Sequence, residues 1–327
     1  MHKVYDEWPE IAKKSYNTNN EQINFENITH IVFAGMGGSG ALHDIFSAIL
    51  SKTNIHVSIV KGYHLPKTVN SETLVITSSV SGNTVETLTV LNLAKKSNCK
   101  LIAFSNGGKM RDYCFKNEIE YRSIPAYLSP RSSFPSFLFS MLKVLAQIIP
   151  IKKEDVIESI NNLENLQKKI SSHNISPDNP SIDLANYLTN IPVIYYPWGL
   201  QAAAVRFKNS LQENAKMHAM IEDVIEVCHN GIVAWEKKSN VKPVLIRGHD
   251  DYIKTKERWN IIKEYFEQKN IEYKEISTVG GSILTKLVNL IYLLDYATIY
   301  LAVMSKIDPT PVTAIDFIKN KIDKSDC

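Results

Sequence analysis

Residues 74–96 read LVITSSVSGNTVETLTVLNLAKK, and the order of residue types in that stretch dictates its local structure. Leu74-Val75-Ile76 is a short apolar run suited to a buried strand. It empties into Ser78, Ser79, Ser81, Gly82, Asn83 and Thr84. Val85, Leu88, Leu91 and Ala94 then recur at helical spacing, with Lys95 and Lys96 in the last turn, where cations suit the helix dipole. The polar cluster therefore stands where a strand turns into a helix N-terminus. Backbone N–H groups are unpaired there and the dipole favours an anion. The hydroxyls of Ser79, Ser81 and Thr84 add donors at the same point. A helix cap needs only one hydroxyl, so this cluster favours a bound phosphate over capping alone.

Working outward, Ile31-Val32-Phe33-Ala34 reads as another strand, running into Gly35-Met36-Gly37-Gly38-Ser39-Gly40 and a helix from Ala41 to Leu50. Strand, glycine-rich turn and helix form the plan of a phosphate- or dinucleotide-binding unit. A dinucleotide site also wants an acidic residue at the end of the second strand. Here that strand, His56 to Val60, ends in Lys61-Gly62, which argues against a nicotinamide cofactor. The glycines are better explained by a backbone that must approach a ligand or a neighbouring loop. Lys100 to Ser105 adds a further strand, and Ser129-Pro130-Arg131 leads into an apolar helical stretch from Phe134 to Ile149. Strands alternating with helices predict a parallel sheet covered on both faces, with the two loops converging at one crevice.

Residues 151–180 are rich in Lys, Glu and Asn and end in Ser, Asn, Asp and Pro, so they read as a helical connector. The expected organisation is residues 1–150 as the phosphate-binding domain, 151–180 as the connector and 181–327 as a second domain. The second half echoes the first: a strand at Ile191 to Tyr196, a small-residue turn, a helix, and strands at Val244 to Arg247 and Ile271 to Ile276 around a helix from Thr255 to Lys269. Weak internal duplication follows. An apolar helix spanning Leu287 to Met304 carries Asp295 at its middle, a costly place for a carboxylate in a bilayer, so it reads as a buried helix. A final amphipathic helix runs from Ala314 to Ile322.

The 37 basic and 34 acidic residues nearly cancel, leaving no drive towards nucleic acid or an anionic membrane. The four cysteines, Cys99, Cys114, Cys228 and Cys327, are far apart and suggest neither a zinc site nor a disulfide framework. No signal-peptide core follows Met1, so a soluble protein of the reducing cytoplasm is expected. Within the second half, Glu213 near the end of a helix and His229 in a loop offer a carboxylate and an imidazole for moving protons. Arg131 offers a planar fork for a phosphate or carboxylate. Taken singly, each also fits a plain surface residue.

Ser79-Val80-Ser81-Gly82-Asn83-Thr84, followed by Glu86-Thr87, resembles the phosphate loop of SIS (sugar isomerase) domains. Gln212-Glu213-Asn214-Ala215-Lys216, then His229-Asn230 with Ile232-Val233 and Trp235-Glu236, then Asp308-Pro309-Thr310-Pro311-Val312 with Ile315-Asp316, resemble the bifunctional phosphoglucose/phosphomannose isomerase family. The likeness covers nearly the whole chain. Ala41-Leu42-His43 departs from it, standing where the family tends to Ile-Gly-Gly. The resemblance implies two SIS-type α/β domains, each a three-layer α/β/α sandwich around a mostly parallel sheet. It implies an aldose–ketose isomerase acting on glucose 6-phosphate, mannose 6-phosphate and fructose 6-phosphate in carbohydrate metabolism, with no cofactor and no metal. Gly38, Ser39, Ser79, Ser81 and Thr84 would hold the sugar phosphate. Glu213 resembles the base that shuttles a proton between C1 and C2. His229 resembles the ring-opening residue, supplied by the neighbouring subunit of a homodimer. Arg131 resembles the arginine that steadies the enediolate, and Lys319 and Thr310 resemble a lysine and a threonine lining the site. Two rivals fit less well. A glucosamine-6-phosphate synthase-like enzyme would carry a nucleophilic Cys where His2 stands. A phosphosugar-sensing regulator would carry a helix-turn-helix domain, for which residues 1–30 are too short.

Overall fold

Three strands, β1, β3 and β6, are buried along their whole length, as β-branched and apolar runs are when helices cover both faces of a parallel sheet. The computed structural model describes residues 1–325, with side chains through residue 322; Cys327 lies outside the described residues. In chain order the first half comprises α1 (His2–Asp6), α2 (Trp8–Asn17), β1 (His30–Ala34), α3 (Gly37–Leu50), β2 (His56–Val60) and β3 (Thr73–Ser79). It continues with α4 (Val85–Lys95), β4 (Lys100–Ser105), α5 (Gly108–Lys116), β5 (Glu120–Ser123) and α6 (Phe134–Val144). The second half comprises α7 (Lys153–Ile170), α8 (Pro180–Tyr187), β6 (Pro192–Tyr196), α9 (Gln201–Asn214), β7 (Met220–Asp223) and α10 (Val224–Val227). After a 3₁₀ turn (Gly231–Glu236) come β8 (Lys242–Arg247), α11 (Ile253–Gln268), β9 (Lys274–Ser277), α12 (Ile283–Met304) and α13 (Thr313–Ser325).

The first sheet has the order β2-β1-β3-β4-β5 and the second β7-β6-β8-β9, and every pairing is parallel. The first four positions match one for one, so the duplication read from the sequence is real at the level of topology. In each sheet the strand order reverses beside its first strand, between β1 and β3 and between β6 and β8, which is where crevices open in such sheets.

The inner faces of the two sheets do not have separate cores. Tyr5, Phe33, Phe46 and Phe137 belong to the same apolar cluster as Phe207, Leu290 and Leu301. Helix α12 packs against α7, α8 and α9, while α9 packs against α3. Smaller clusters cover the outer faces: Val32, Val75 and Val90 on the first sheet, and Leu245, Trp259 and Phe266 on the second. Helix α12 is long and apolar enough to cross a membrane, but most of it is buried within the molecule, and Asp295 is fully buried against Arg206.

Some boundaries differ from the expected ones. Helix α3 begins at Gly37 rather than Ala41, so Gly37–Gly40 form its first turn instead of a free loop. Gly37 enters that turn with a φ of +54°, a left-handed conformation that glycine takes without the penalty of a Cβ. Ser78 and Ser79 belong to β3, not to the loop. Helix α6 stops at Val144, and strands β5 and β7 lack a legible apolar pattern because each has only four residues, none buried and half of them charged.

Candidate active site

The first crevice is formed by the loops leaving β1 and β3. They touch: a Cβ on Gly35 would lie 2.8 Å from the Ser78 carbonyl oxygen and from Cε1 of His43, so only glycine fits. Gly82 has φ +69°, and a Cβ there would come within 1.8 Å of the Gly107 carbonyl oxygen. The tight turn at Ser81–Thr84 thus rests on the next loop. Thr84 stands at the N-cap of α4 yet makes no side-chain cap. Its hydroxyl instead lies 2.9 Å from that of Ser79, so capping does not account for it. Ser79 Oγ also accepts the Gly82 N–H, and Ser81 Oγ that of Asn83. These bonds shape the loop around the start of α4, whose N–H groups carry the helix's positive end. Ser39 is buried in the first turn of α3, with Gly38 beside it.

Behind the crevice, His43 is wholly buried, with Nε2 2.8 Å from the Ser78 hydroxyl. Burial, aided by the Lys61 ammonium, pushes its imidazole down to about 3. A neutral ring thus backs the Ser79–Thr84 turn.

Gly38 also faces the segment that carries Arg131, since a Cβ on it would sit 3.6 Å from the Pro130 carbonyl oxygen. Arg131 is only 3% exposed, and its Nη1 donates to Glu213 Oε2 at 2.9 Å, while the Glu213 side chain remains 25% exposed. The other two nitrogens are engaged, leaving one Nη1 N–H of the fork: Nε donates to Asn214 Oδ1 at 2.6 Å, and Nη2 donates to the carbonyls of Pro309 and Thr310. The loops after β1 and β3, Arg131, Glu213 and the Thr310 backbone therefore form one contiguous surface. The Thr310 N–H meanwhile donates to Asp308 in a local turn.

Lys216 joins this group. Its φ of +55° turns the chain sharply after α9, and its ammonium donates to the carbonyls of Glu213 and Pro311. Partial burial and then the nearby Arg131 charge lower its pKa, against the pull of Asp308 and Glu213. Lys319, by contrast, is exposed on α13, and among the described residues no hydrogen bond or ion pair links it to this surface. His229 is exposed after α10, its backbone N–H bound to the Glu226 carbonyl. Among the described residues, no bond within one chain joins it to Glu213.

Asn214 and Lys216 stand within a motif of the sequence that assigns them no role, and no motif covers Arg206, Ser210 or Thr298. A signal was present: Arg206, Ser210 and Asn214 recur every four residues along α9 among Ala203, Phe207 and Leu211, placing polar groups on a buried helix face.

Residues 177–322 match the family described as the bacterial phospho-glucose isomerase C-terminal SIS domain. The chain is 32% identical to the bifunctional phosphoglucose/phosphomannose isomerase of Caldicellulosiruptor bescii, over 96% of each chain. It is 31% identical to the enzyme of the same name from Thermoplasma acidophilum, over 90% of each. In fold it is similar to the C-terminal domain of glucosamine-fructose-6-phosphate aminotransferase from Francisella tularensis, with a TM-score of 0.71 and 14% identity, over 94% of this chain and 96% of that one.

Proposed function

The chain belongs to the bifunctional phosphoglucose/phosphomannose isomerase family, and we propose that it interconverts glucose 6-phosphate and mannose 6-phosphate with fructose 6-phosphate. The observation that carries this reading is the Arg131–Glu213 contact at 2.9 Å beside a hydroxyl-lined phosphate crevice. Aldose–ketose exchange needs an anchored phosphate, an open-chain sugar, a base for a carbon acid, and positive charge at the oxygen that becomes anionic. Ser39, Ser79, Ser81 and Thr84, with the backbone at Gly38, anchor the phosphate. Glu213 carries the proton between C1 and C2 with the carboxylate oxygen that has no protein partner among the described residues, Oε1. Arg131, whose other oxygen contact holds Glu213 in place, faces the developing enediolate.

Ring opening falls to His229 of a second copy, so the working unit is a homodimer. The exposure of His229 supports this, as do the exposed apolar residues near it, Met220, Ile225 and Val233, which suit an interface between copies. Thr310 lines the space beside C2, and its small size suits both C2 epimers, which share one enediol. Lys319 would join the site only through a rearrangement of α13 or from the second copy. A cytoplasmic place in carbohydrate metabolism, and no requirement for a metal or cofactor, complete the reading.

The test is a coupled assay on the purified protein with EDTA present, supplying fructose 6-phosphate and following glucose 6-phosphate and mannose 6-phosphate separately. Both products are expected. Glucose 6-phosphate alone would refute the dual specificity, and neither product, from folded protein that still binds the sugar, would refute the enzyme.

A further inference from the structure

Two of the groups that orient Arg131, Asn214 and Arg206, are oriented in turn by helix α12. The Arg131 Nε–H points at Asn214 Oδ1. The Asn214 amide group donates through Nδ2 to the Thr298 hydroxyl at 2.8 Å, and that hydroxyl lies 2.6 Å from the Asp295 backbone carbonyl. A carbonyl only accepts, so the single hydroxyl proton of Thr298 is committed to Asp295 and its oxygen must accept from Asn214. The amide is thereby fixed with its nitrogen towards Thr298 and its oxygen towards Arg131. A reversed amide would set donor against donor at Arg131 and acceptor against acceptor at Thr298.

The other end of Arg131 is held from the same helix. Its backbone carbonyl accepts from Arg206 Nη2 at 2.6 Å. Arg206 is buried and donates through Nε and Nη2 to Asp295 Oδ2, at 3.0 and 2.7 Å, while Ser210 donates to Oδ1 at 2.6 Å. The Arg206 guanidinium also lies 4.7 Å from the ring centre of Phe134. One turn of α12, Asp295 to Thr298, therefore grips both the main chain and the side chain of Arg131, using Arg206 and Asn214 of α9 as intermediaries, while Ser210 steadies Asp295.

We infer that Thr298 and Asn214, backed by Asp295 and Arg206, are positioning residues that hold Arg131 against Glu213 in the reactive arrangement. None of the four reaches the phosphate loops in this structure, so they act on turnover and not on phosphate capture. The inference rests on the isomerase reading above.

Replacing Thr298→Val keeps the shape and removes the hydroxyl that orients Asn214. The expected result is a fall in kcat of about tenfold or more with KM within about twofold of wild type. Thr298→Ser, which restores the hydroxyl, should recover most of kcat. Leu163→Ala, a cavity in the same core away from Arg131, lowers the melting temperature as a control and should leave kcat per folded site intact. If Thr298→Val melts earlier but keeps the wild-type kcat, the network is only structural and the inference falls. A fall in kcat that Thr298→Ser does not rescue would overturn it equally. Should Thr298→Val fail to fold, Asn214→Leu is judged by the same split between kcat and KM. A wild-type protein without isomerase activity would instead sink the functional reading, so the two failures are distinct.

Discussion

After β1 and β3 the chain leaves the first sheet through glycines and hydroxyls; after β6 and β8 it leaves the second through quite different residues. There the turns are Pro197-Trp198-Gly199 and Gly248-His249-Asp250-Asp251. Trp198 is 72% exposed, and the Asp251 carboxylate accepts the Gly248 N–H and the Trp259 Nε1–H at 3.0 Å each. An acid already fills the backbone donor that a phosphate would seek, and its charge repels one. The two sheets share a strand order and therefore a crevice in the same place, but only one crevice is chemically fitted to an anion. Topology positions a site, and the loop residues decide what it does. The second half contributes instead through helix α9, whose last turn delivers Glu213 to the first half's Arg131.

That division of labour can be broken residue by residue. Glu213→Gln removes the proposed base and should lower kcat about a thousandfold, while calorimetry still shows wild-type affinity for the phosphosugar; loss of binding instead would place Glu213 with the phosphate ligands. Arg131→Lys keeps the charge but not the planar fork, and a drop of about a hundredfold in kcat is expected, read by steady-state kinetics.

The buried His43 sharpens the comparison through pH. Its imidazole is held near 3 in the folded chain and returns to its ordinary 6.5 on unfolding. Between those values the unfolded chain binds more protons, so stability is lost as pH falls through that window. By pH 5 the loss from this group is about 2 kcal/mol. Urea titrations at several pH values should show this slope, and His43→Leu should flatten it. Hydrogen exchange should show acid loosening β3 and α3 before β6.

The smallest effect comes from matched glycines. Gly82→Ala forces a Cβ to within 1.8 Å of the Gly107 carbonyl oxygen, and the distorted turn should raise KM about tenfold. Gly199, with φ +98°, has nothing within 4 Å of its would-be Cβ. Gly199→Ala should therefore cost only backbone strain of about 1 kcal/mol and leave KM unchanged. Equal effects on KM would remove the distinction between the two crevices.

Much of this was legible in the chain before any coordinates. The run into Ser79-Val80-Ser81-Gly82-Asn83-Thr84 announces its strand, turn and helix because apolar periodicity and turn chemistry are both local. Strands β5 and β7 escaped because Glu120-Tyr121-Arg122-Ser123 and Met220-Ile221-Glu222-Asp223 lie at sheet edges, where one side needs no apolar residue. The link between Arg131 and Asn214 spans more than eighty positions, and no local pattern encodes a pairing at that distance. Asp295 did announce itself as a carboxylate inside an apolar helix, since a buried charge requires a partner. Its partner Arg206 became identifiable only once α9 and α12 were packed together.

The common apolar layer between the sheets has a consequence for cutting the chain. The two halves share a strand order but also one interior, and residues 177–322 do not carry a complete one. Excised, that segment would leave bare the sides of α9 and α12 that meet α3 and α7. The stretch that matches a family by itself is thus not a unit that can be transplanted by itself. A chimera joined within residues 151–180 would have to bring matching surfaces with it, and the arginine of one parent would have to meet the glutamate of the other.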